Sequence, residues 1–549
     1  AQIKGDTVIR VVPHENTEIN ECWLSDRDRF AYEGLNATDR LLSPMIKVDS
    51  RWEEVDWATA LDYIKTKLAS PTIKPERIGA LATPQATTEE FYLFQKLIRA
   101  LGSENIDYRL RQADCELSAK APWLGMSIAD VENLDRILVI GSNIRKEQPL
   151  LAHRIRQATK INQALLAFIN PVNSDSLVPT AKDYLVAPSC VTGLLLQVVK
   201  AVCLALGRPV ADALDAISVE ADAKEIAQML VSGQQKLILV GSVARHHPDR
   251  SKIEQISHLL GELVGAKVGL LSDGPNSLGA ESTNVLPGPS GLNAIQMVDT
   301  PLDAYFLLHA EMGDDSCMPG AAIEAMKSAQ LVVAMSVFKD EVAEYATVLL
   351  PISPFSETAG TFINMEGVAQ SFGPVAPAKG LSRPGWRLLA ALGKLFEFSN
   401  FEYESIEAVR SVLKDSFDGL PRRLQSQSNM SNELPTVSAE LLLIERVSDV
   451  PMYSVDSIVR RAQALQLTKD ALTNYAWLDS ELAQELDVVN EDMVRVEQGG
   501  QIFDLPARID PHLARAVIRI PMTSDASKVL GGIGGSVQVS KLQSVGAVA

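Results

Sequence analysis

Short apolar runs alternate with segments of helical periodicity between residues 57 and 350. The apolar runs predict strands at residues 78–82, 137–140, 165–170, 184–186, 237–240, 268–271, 304–308, 331–335 and 348–350. The segments between them predict helices at 57–68, 87–101, 149–160 and 194–206. Apolar strands that alternate with helices are typical of parallel βαβ units with helices on both faces. The pattern therefore predicts an α/β fold on a doubly wound sheet, and the Gly-Ser turns at 141–142 and 241–242 predict two such units side by side.

The pattern changes after residue 386, where a helix at 388–396 precedes a polar connection at 411–433 and a helical segment at 458–465. Residues 493–496, 502–509 and 516–520 then alternate with period two, which predicts a small β-barrel near the C-terminus. At the other end, residues 2–4 and 7–12 predict a strand pair that is too small to be stable alone. We expect this pair to continue a domain whose remainder lies upstream.

Residues 346–370, ATVLLPISPFSETAGTFINMEGVAQ, form a candidate ligand loop. The strand at 348–350 ends at Pro351, because proline has no N–H to donate to a strand ladder. The loop that follows carries hydroxyl and carboxyl side chains, namely Ser353, Ser356, Glu357 and Thr358. Gly360 then precedes an extended piece at 361–364, which we expect to be a return strand. A loop beyond the carboxyl end of a strand is where open α/β sheets bind ligands.

Two carboxylates flank this loop, Glu357 and Glu366. In one interpretation they are an acid and a base of an active site. In the other they accept hydrogen bonds from backbone N–H groups of the turn, and this second interpretation is favoured.

The composition excludes several classes of function. With 51 Lys and Arg against 69 Asp and Glu, the net charge of −18 argues against binding to nucleic acid or to an anionic membrane surface. The apolar run at 193–206 contains Gln197 and Lys200 and is shorter than the roughly 20 residues of a spanning helix, so no transmembrane helix is predicted. The five cysteines include no CxxC, and no signal peptide pattern opens the chain, which together fit a reducing cytosol.

Two clusters have the composition of metal sites. The loop EMGDDSCMPG contains Glu311, Asp314 and Asp315, which match the ligands of Mg²⁺ or Ca²⁺, but a solvated acidic loop is the favoured interpretation. The second cluster consists of histidines and one aspartate, namely His246, His247, Asp249 and His258. Surface histidines are favoured over a metal site there.

Two other features suggest a ligand or a nucleophile. Glycines at 531, 532, 534 and 535 form the densest glycine run, but no helix is predicted after it and a phosphate site is not favoured. Cys115, in the polar run RQADCELS, is interpreted as a small buried residue rather than a nucleophile. The residues alone thus predict a multidomain α/β scaffold without an assembled active site.

Several stretches resemble a known family. Residues 11–35, VVPHENTEINECWLSDRDRFAYEGL, and the following DRLLSPMIK resemble the G subunit family of proton-pumping NADH:quinone oxidoreductase (respiratory complex I), the 75 kDa subunit of mitochondria. Four further segments resemble the wider molybdopterin oxidoreductase superfamily: VIGSNIRKEQPLLAHRIRQA at 139–158, the loop at 346–370, SRPGW at 382–386 and AQELDVVNEDMVRVEQGGQ at 483–501.

This resemblance implies two Rossmann-like doubly wound domains, one inserted in the other, and a small C-terminal β-barrel. The implied boundaries are 1–45 for a remnant of an upstream iron–sulfur domain, 46–112 with 291–400 for the first Rossmann-like domain, 113–290 for the inserted one, 401–470 for a linker or helical connection, and 471–549 for the barrel and tail. In the full subunit, [2Fe–2S] and [4Fe–4S] clusters are expected upstream of this segment.

The chain departs from the superfamily where a cofactor would be held. In the molybdenum enzymes a cysteine or selenocysteine ligates the metal at the position that resembles Ala113 here, two residues before Cys115. Ser25 stands where some relatives place the last cysteine of an extra [4Fe–4S] cluster, and Cys22 alone cannot replace four thiolates. Val368 stands where relatives often have an arginine after the Glu-Gly pair. Molybdopterin is therefore not expected, and no catalytic, cofactor-binding or metal-binding residue is assigned.

The resemblance implies a catalytically silent, structural part of the G subunit that supports electron transfer from NADH to quinone. The implied partners are the flavin subunit that oxidises NADH and the neighbouring iron–sulfur subunits, without nucleic acid and without direct membrane insertion. The implied location is peripheral, on the cytoplasmic face of the bacterial inner membrane. The alternatives are an active molybdopterin oxidoreductase of the formate dehydrogenase type and a stand-alone nucleotide-binding module.

Overall fold

Five sheets organise the residues that the computed structural model describes, which are 1–116, 121–173, 175–426, 434–435, 444–531 and 534–542. Two of the sheets are two-stranded hairpins, one has five strands and two have seven. Short 3-10 helices lie at Ala31–Asn36, Pro75–Arg77, Ala129–Asn133, Pro188–Cys190, Asp212–Leu214, Val342–Glu344, Val459–Arg461 and Lys469–Ala471.

The chain begins with a hairpin and then enters the larger α/β sheet. Its first strands are β1 (Gln2–Lys4), β2 (Thr7–Arg10), β3 (Met45–Val48), β4 (Arg51–Glu54), β5 (Ile78–Ala82) and β6 (Asn105–Asp107). The first helices are α1 (Asp26–Phe30), α2 (Trp57–Leu68) and α3 (Thr88–Ala100). Asp56 caps α2 by accepting a hydrogen bond from the backbone N–H of Thr59 at 2.8 Å. Thr87 and Glu90 form a capping box at the start of α3.

A five-stranded parallel sheet follows. Its strands are β7 (Arg136–Ile140), β8 (Leu165–Asn170), β9 (Lys182–Leu185), β10 (Lys236–Val240) and β11 (Lys267–Leu270), in the order β11-β10-β7-β8-β9. Its helices are α4 (Ile144–Glu147), α5 (Pro149–Ile161), α6 (Val191–Ala205), α7 (Ala221–Ser232), α8 (Ser242–Arg245) and α9 (Arg250–Val264). Alternate strand residues enter different cores: Leu138 packs with α6, α7 and α9, whereas Ile137 packs with α5. Both faces are buried, which explains why these strands are continuously apolar.

The chain then returns to complete the first sheet with seven strands. The added elements are α10 (Ser277–Ser282), α11 (Ala294–Asp299), β12 (Ala304–Leu308), α12 (Met312–Asp315), α13 (Pro319–Ser328), β13 (Leu331–Ser336) and β14 (Val348–Pro351). The sheet order is β4-β3-β14-β13-β12-β5-β6, in which β14 to β6 are parallel and β3 and β4 are antiparallel to their neighbours. The five-stranded sheet therefore lies in sequence between β6 and β12 of this one.

A second hairpin and three helices come next: β15 (Gly360–Ile363), β16 (Ala369–Phe372), α14 (Gly385–Leu395), α15 (Ile406–Phe417) and α16 (Leu420–Ser426). The predicted polar connection at 411–433 is wrong up to residue 426, because α15 and α16 cover most of it. Ile406, Val409 and Leu413 bury one face of α15 against the core of the seven-stranded sheet. Residues 427–433 lie outside the described part.

The C-terminal region contains a nearly closed seven-stranded sheet. Its elements are β17 (Glu445–Val447), α17 (Gln463–Gln466), β18 (Ala476–Leu478), α18 (Ser480–Glu485), β19 (Met493–Gln498), β20 (Gln501–Ile509), β21 (Val517–Arg519), α19 (Asp525–Leu530), β22 (Gly535–Ser536) and β23 (Gln538–Lys541). The strand order is β22-β17-β21-β18-β20-β19-β23. Hairpin pairs such as β19–β20 match the predicted period-two strands, while β17–β21 and β18–β20 are parallel.

One helical segment, Pro188–Ala205, is long and apolar enough to cross a membrane by length and composition. This corrects the expectation, from the run at 193–206, that no segment reaches that length. In the fold 61% of the segment is buried, and α6 packs against α7 and α9 in the core beside the five-stranded sheet. It is packed as a core helix.

Candidate functional site

A cavity with a volume of about 890 Å³ lies at the carboxyl ends of the five-stranded sheet. Residues at the ends of four of the five strands, or just after them, line it, namely Ser142 and Asn143, Asn170 and Pro171, Ser242 and Val243, and Ser272 and Asp273. The tip of the β15–β16 hairpin and residues of the C-terminal region complete the wall. Parallel sheets bind ligands at this edge.

The two Gly-Ser turns, which predicted two units side by side, follow neighbouring strands of this one sheet and meet at its edge. Strands β7 and β10 are neighbours, and the N–H of Gly241 donates to the carbonyl of Ile140 at 2.8 Å. A Cβ at Gly241 would lie 2.1 Å from the Cβ of Ser142, so the close approach requires glycine. Gly141 has a φ of +61°, in the left-handed region that favours glycine.

The carboxylate of Glu147 lies over both turns. It accepts hydrogen bonds from the Ser142 hydroxyl at 2.8 Å, from the N–H of Asn143 at 3.0 Å and from the N–H of Ser242 at 3.2 Å. Burial raises the pKa of this carboxyl, while the three hydrogen bonds work in the opposite direction. The donors at the strand ends are thus satisfied by the chain itself.

The charges that line the cavity are mostly neutralised. Five of its six Lys and Arg side chains are paired with carboxylates: Arg27 with Asp28 at 3.5 Å, Arg111 with Asp315 at 2.7 Å, Lys146 with Asp470 at 2.7 Å, Arg508 with Glu491 at 3.3 Å, and Arg519 with Asp449 at 2.7 Å. Eight carboxylates line the same cavity, so its wall has no excess of positive charge. Such a wall does not attract a polyanion.

His246 and Asp273 form a buried polar pair in this wall, with His246 Nε2 and Asp273 Oδ1 separated by 3.0 Å. Burial raises the pKa of the Asp273 carboxyl, but Arg245 and His246 outweigh it and hold that pKa below its ordinary value. The interpretation of surface histidines is wrong for His246 and His258, which are both buried. His247 accepts a hydrogen bond from the N–H of Asp249 at 2.9 Å.

The acidic loop is also not solvated as predicted, because Glu311 and Asp315 are buried. Arg460 lies 2.7 Å from Glu311 and 3.1 Å from Asp315, and Arg461 lies 2.8 Å from Glu311. Arg460 also lies 3.4 Å from Asp314. The carboxylates bind guanidinium groups, and no cluster of His, Cys, Asp or Glu able to hold a metal occurs among the described residues.

The two carboxylates of the loop at 346–370 bind other segments of the chain. Glu357 forms a buried ion pair with Arg40 at 3.0 Å and accepts from the N–H of Lys379 at 3.1 Å. Glu366 accepts from the N–H of Ile128 at 2.7 Å. Both carboxylates therefore accept backbone N–H groups, as favoured, although the donors come from other segments of the chain.

The expected return strand does not rejoin the sheet. Residues 360–363 pair instead with 369–372 in the hairpin β15–β16. Gly360 is not in the left-handed region, and its lack of a side chain serves close packing, since a Cβ would lie 2.2 Å from Thr87 Cγ2.

The departures from the superfamily have ordinary structural surroundings. Cys115 is buried, its thiol donates to the carbonyl of Gln112 at 3.5 Å, and burial raises its pKa to about 12. Ala113 is half-buried, and Val368 is exposed at the hairpin tip. Ser25 caps α1 by accepting from the N–H of Asp28 at 3.1 Å. Of the glycine run, residues 532 and 533 lie outside the described part.

Sequence reasoning missed three residues that line the cavity, Glu147, Asn170 and Asp470. Asn170 Oδ1 accepts from the N–H of Ser142 at 2.8 Å, and Asp470 pairs with Lys146. A signal was available for the first two, because Glu147 comes soon after the strand predicted at 137–140 and Asn170 ends the strand predicted at 165–170. Asp470 is brought in by the tertiary fold alone.

Two family models match the chain. The model described as molybdopterin oxidoreductase matches residues 40–395, and the model described as NADH-ubiquinone oxidoreductase NDSU1/NuoG-like, 4Fe-4S domain, matches residues 1–33. Among the cysteines of the chain, Cys22 alone falls in the latter range.

Similar curated proteins carry names of one respiratory enzyme. The NADH-ubiquinone oxidoreductase 78 kDa subunit of Candida albicans is 26% identical over 74% of this chain and 52% of its own length. The G subunit of NADH-quinone oxidoreductase from Rickettsia felis is 28% identical over 68% of this chain and 51% of its own length. The chain therefore spans about half the length of these relatives.

A solved structure with a similar fold is acetylene hydratase from Pelobacter acetylenicus. The TM-score is 0.67 at 15% sequence identity, and the match covers 94% of each chain. At this identity the match shows the fold alone.

Proposed function

Because the chain belongs to the molybdopterin oxidoreductase family, we propose that it is a catalytically silent, structural part of the G subunit of proton-pumping NADH:quinone oxidoreductase. The names of the relatives support this assignment, since the Candida and Rickettsia proteins are both subunits of this enzyme. In this proposal the segment supports electron transfer from NADH to quinone by packing beside the iron–sulfur clusters. Those clusters are held by other parts of the same subunit.

The observation that carries the silent role is the chemistry of the cavity. Molybdopterin is an anionic cofactor, and its metal in this family takes a cysteine or selenocysteine ligand. Here five of the six cavity cations are paired with carboxylates, and Glu147 accepts hydrogen bonds from the backbone donors at the strand ends. Cys115 is a buried thiol with a raised pKa, so a thiolate is unfavourable. The residues present do not fit the cofactor.

The same chemistry argues against an active enzyme of the formate dehydrogenase type, which would need Cys115 to act as a metal ligand from within its buried site. A nucleotide-binding module is also unsupported, because the strand-end donors that would bind phosphate already bind Glu147.

The domain architecture follows from the same proposal. We assign two Rossmann-like doubly wound domains, 46–112 with 291–400 and the inserted 113–290, between an N-terminal iron–sulfur remnant at 1–45 and a C-terminal region at 401–549. In this assignment the connection occupies 401–470 and the barrel and tail occupy 471–549. The strands of the five-stranded sheet, all between residues 136 and 270, support the insertion.

The partners and location follow from the enzyme. We assign contacts with the flavin subunit that oxidises NADH and with neighbouring iron–sulfur subunits, and a peripheral position on the cytoplasmic face of the bacterial inner membrane. The acidic net charge of −18 supports assembly through protein contacts rather than through an anionic lipid surface.

Metal analysis and affinity purification together test this proposal. The chain, purified from cells grown with molybdate and tungstate, should contain neither metal in stoichiometric amount by mass spectrometry. The subunit that contains it, tagged in its native host, should co-purify with flavin and with NADH-oxidising activity. One metal atom per chain, or a tagged subunit free of flavin and of that activity, would refute the proposal.

A further inference from the structure

The edge of the five-stranded sheet has the geometry of an anion-binding site, and a carboxylate side chain of the protein itself fills it. The Ser142 hydroxyl and the N–H groups of Asn143 and Ser242 converge on one carboxylate, that of Glu147, at 2.8 to 3.2 Å. These donors come from two turns that are 100 positions apart in the sequence, Gly141-Ser142 and Gly241-Ser242. Backbone N–H groups and hydroxyls that converge at strand ends are the donors that bind phosphate in α/β proteins.

We propose that Glu147 is an internal ligand that fills this anion site and excludes phosphate-type oxyanions from the cavity. The proposal rests on the proposed function, because it explains how a cofactor cavity persists without binding its anionic cofactor. Glu147 is then the residue that determines the specificity of this site. Once its carboxylate is removed by substitution, the site should accept a phosphate-type oxyanion.

The packing around the turns preserves the donors without Glu147. The Asn170 side chain holds the Ser142 turn by two further hydrogen bonds, accepting from the N–H of Ser142 at 2.8 Å and donating to its carbonyl at 2.9 Å. The N–H of Val243 donates to the carbonyl of Gly141 at 2.9 Å, which ties the second turn to the first. The donor geometry is therefore a property of the two turns, and truncation of Glu147 leaves it in place.

Lys146, the residue before Glu147, is a cation of the same cavity. The ammonium group of Lys146 pairs with the carboxylate of Asp470 at 2.7 Å, and both residues line the cavity. While Asp470 pairs with Lys146, the positive charge of Lys146 is not available to a bound anion. Asp470 thus provides a matched control, because Asp470→Asn removes one negative charge from the same cavity without vacating the donors.

The test compares thermal unfolding in inorganic phosphate and in sodium chloride of equal ionic strength, with isothermal titration of phosphate. Glu147→Ala should bind phosphate with millimolar affinity, and 50 mM phosphate should raise its Tm by roughly 2 °C more than that of the parent chain. Asp470→Asn should show no gain over the parent. The double variant should bind phosphate several-fold more tightly than Glu147→Ala, because Lys146 is released.

Glu147→Gln keeps the proposal testable if the alanine variant does not fold. The amide still fills the position, so its Tm should respond to phosphate as the parent does. The proposal is refuted if folded Glu147→Ala does not bind phosphate, if Asp470→Asn binds as well as Glu147→Ala, or if Glu147→Gln gains phosphate binding. None of these results depends on metal content or on assembly, so they are distinct from failure of the proposed function.

Discussion

At the scale of single residues, side chains that the sequence offered as candidate ligands, acids or nucleophiles have structural roles here. Ser25 caps α1, Glu357 neutralises the buried Arg40, and Cys115 donates to a carbonyl. Each side chain is occupied by a partner inside the chain. A charged or nucleophilic group that is already satisfied in this way is held in a fixed geometry and is unavailable to a ligand.

Glu341 is the residue with the clearest expected effect on pH dependence. Burial, and then the nearby charge of Glu311, raises its pKa from 4.5 to about 8, although it accepts from the Tyr345 hydroxyl at 2.6 Å and from the N–H of Gly313 at 2.7 Å. Between those two pH values the unfolded chain loses this proton while the folded chain keeps it. The stabilising contribution is therefore complete below pH 4.5 and is lost as the pH rises through about 8.

We expect Glu341→Gln to remove this loss. Between pH 5 and pH 8.5 the free energy of unfolding of the variant should gain on that of the parent by about 4 kcal/mol, measured by urea denaturation. Glu344→Gln is the control, because Glu344 is an exposed carboxylate paired with Lys327. A parent and a Glu341→Gln variant with parallel pH profiles would contradict the assignment.

At the scale of elements, close contacts between turns and helices determine where glycine is required. Gly241 allows the β10 turn to contact the β7 turn, and Gly393 in α14 lies against Phe401, where a Cβ would approach the ring to 2.1 Å. A Cβ at Gly193 in α6, by contrast, would meet no atom of another element within 4 Å. Glycine is therefore required for close packing at positions 241 and 393, whereas at position 193 a larger residue has room.

Two alanine substitutions should change the free energy of unfolding in opposite directions. Gly241→Ala forces the new Cβ against Ser142 and should lower the free energy of unfolding by about 2 kcal/mol. Gly193→Ala meets no atom and should raise it by about 0.5 kcal/mol, because alanine loses less conformational entropy in a helix. Urea denaturation of both variants measures the difference, and equal effects would show that the contact between the turns is not tight.

At the scale of the whole molecule, a buried charge cluster joins distant segments. Arg460 and Arg461 contact Glu311 and Asp315, and Arg461 also pairs with Asp39 at 2.7 Å. Burial raises the pKa of Asp315, but Arg460 and Arg111 outweigh it and lower that pKa below its ordinary 3.8. This contribution to stability is present above pH 3.8 and is lost as the pH falls through the lowered pKa.

Removal of one member should loosen the segment around it. Arg460→Ala leaves buried carboxylates without this partner and should cost about 3 kcal/mol, with faster thermolysin cleavage within residues 451–471. Arg515→Ala is the matched control, because Arg515 is 77% exposed and pairs with the exposed Glu481 at 3.0 Å. Its effect should stay below about 0.5 kcal/mol. Equal cleavage rates for the two variants would rule out a role of the cluster in holding this segment.

The sequence by itself determined most of the buried parallel strands, several of the long helices and the α/β class. A strand buried on both faces has to be apolar at every position, so runs such as 78–82, 165–170 and 304–308 were predicted with the bounds that the structure shows. The polar stretch at 411–426 was mispredicted because an amphipathic helix buries only one narrow face, and its polar positions resemble those of a linker.

Only the tertiary structure decided which charged residues are buried and which groups they bind. Local sequence made Glu311 and Asp315 look solvated and left the role of Glu147 unseen, because their partners are distant: Arg460 lies about 150 positions from the acidic loop, and Ser242 lies 95 positions from Glu147. A carboxylate can bind a metal, a guanidinium or a backbone N–H, and the choice depends on which group the fold brings within 3 Å. Apolar burial is encoded along each element, whereas the pairing of charges is encoded between elements.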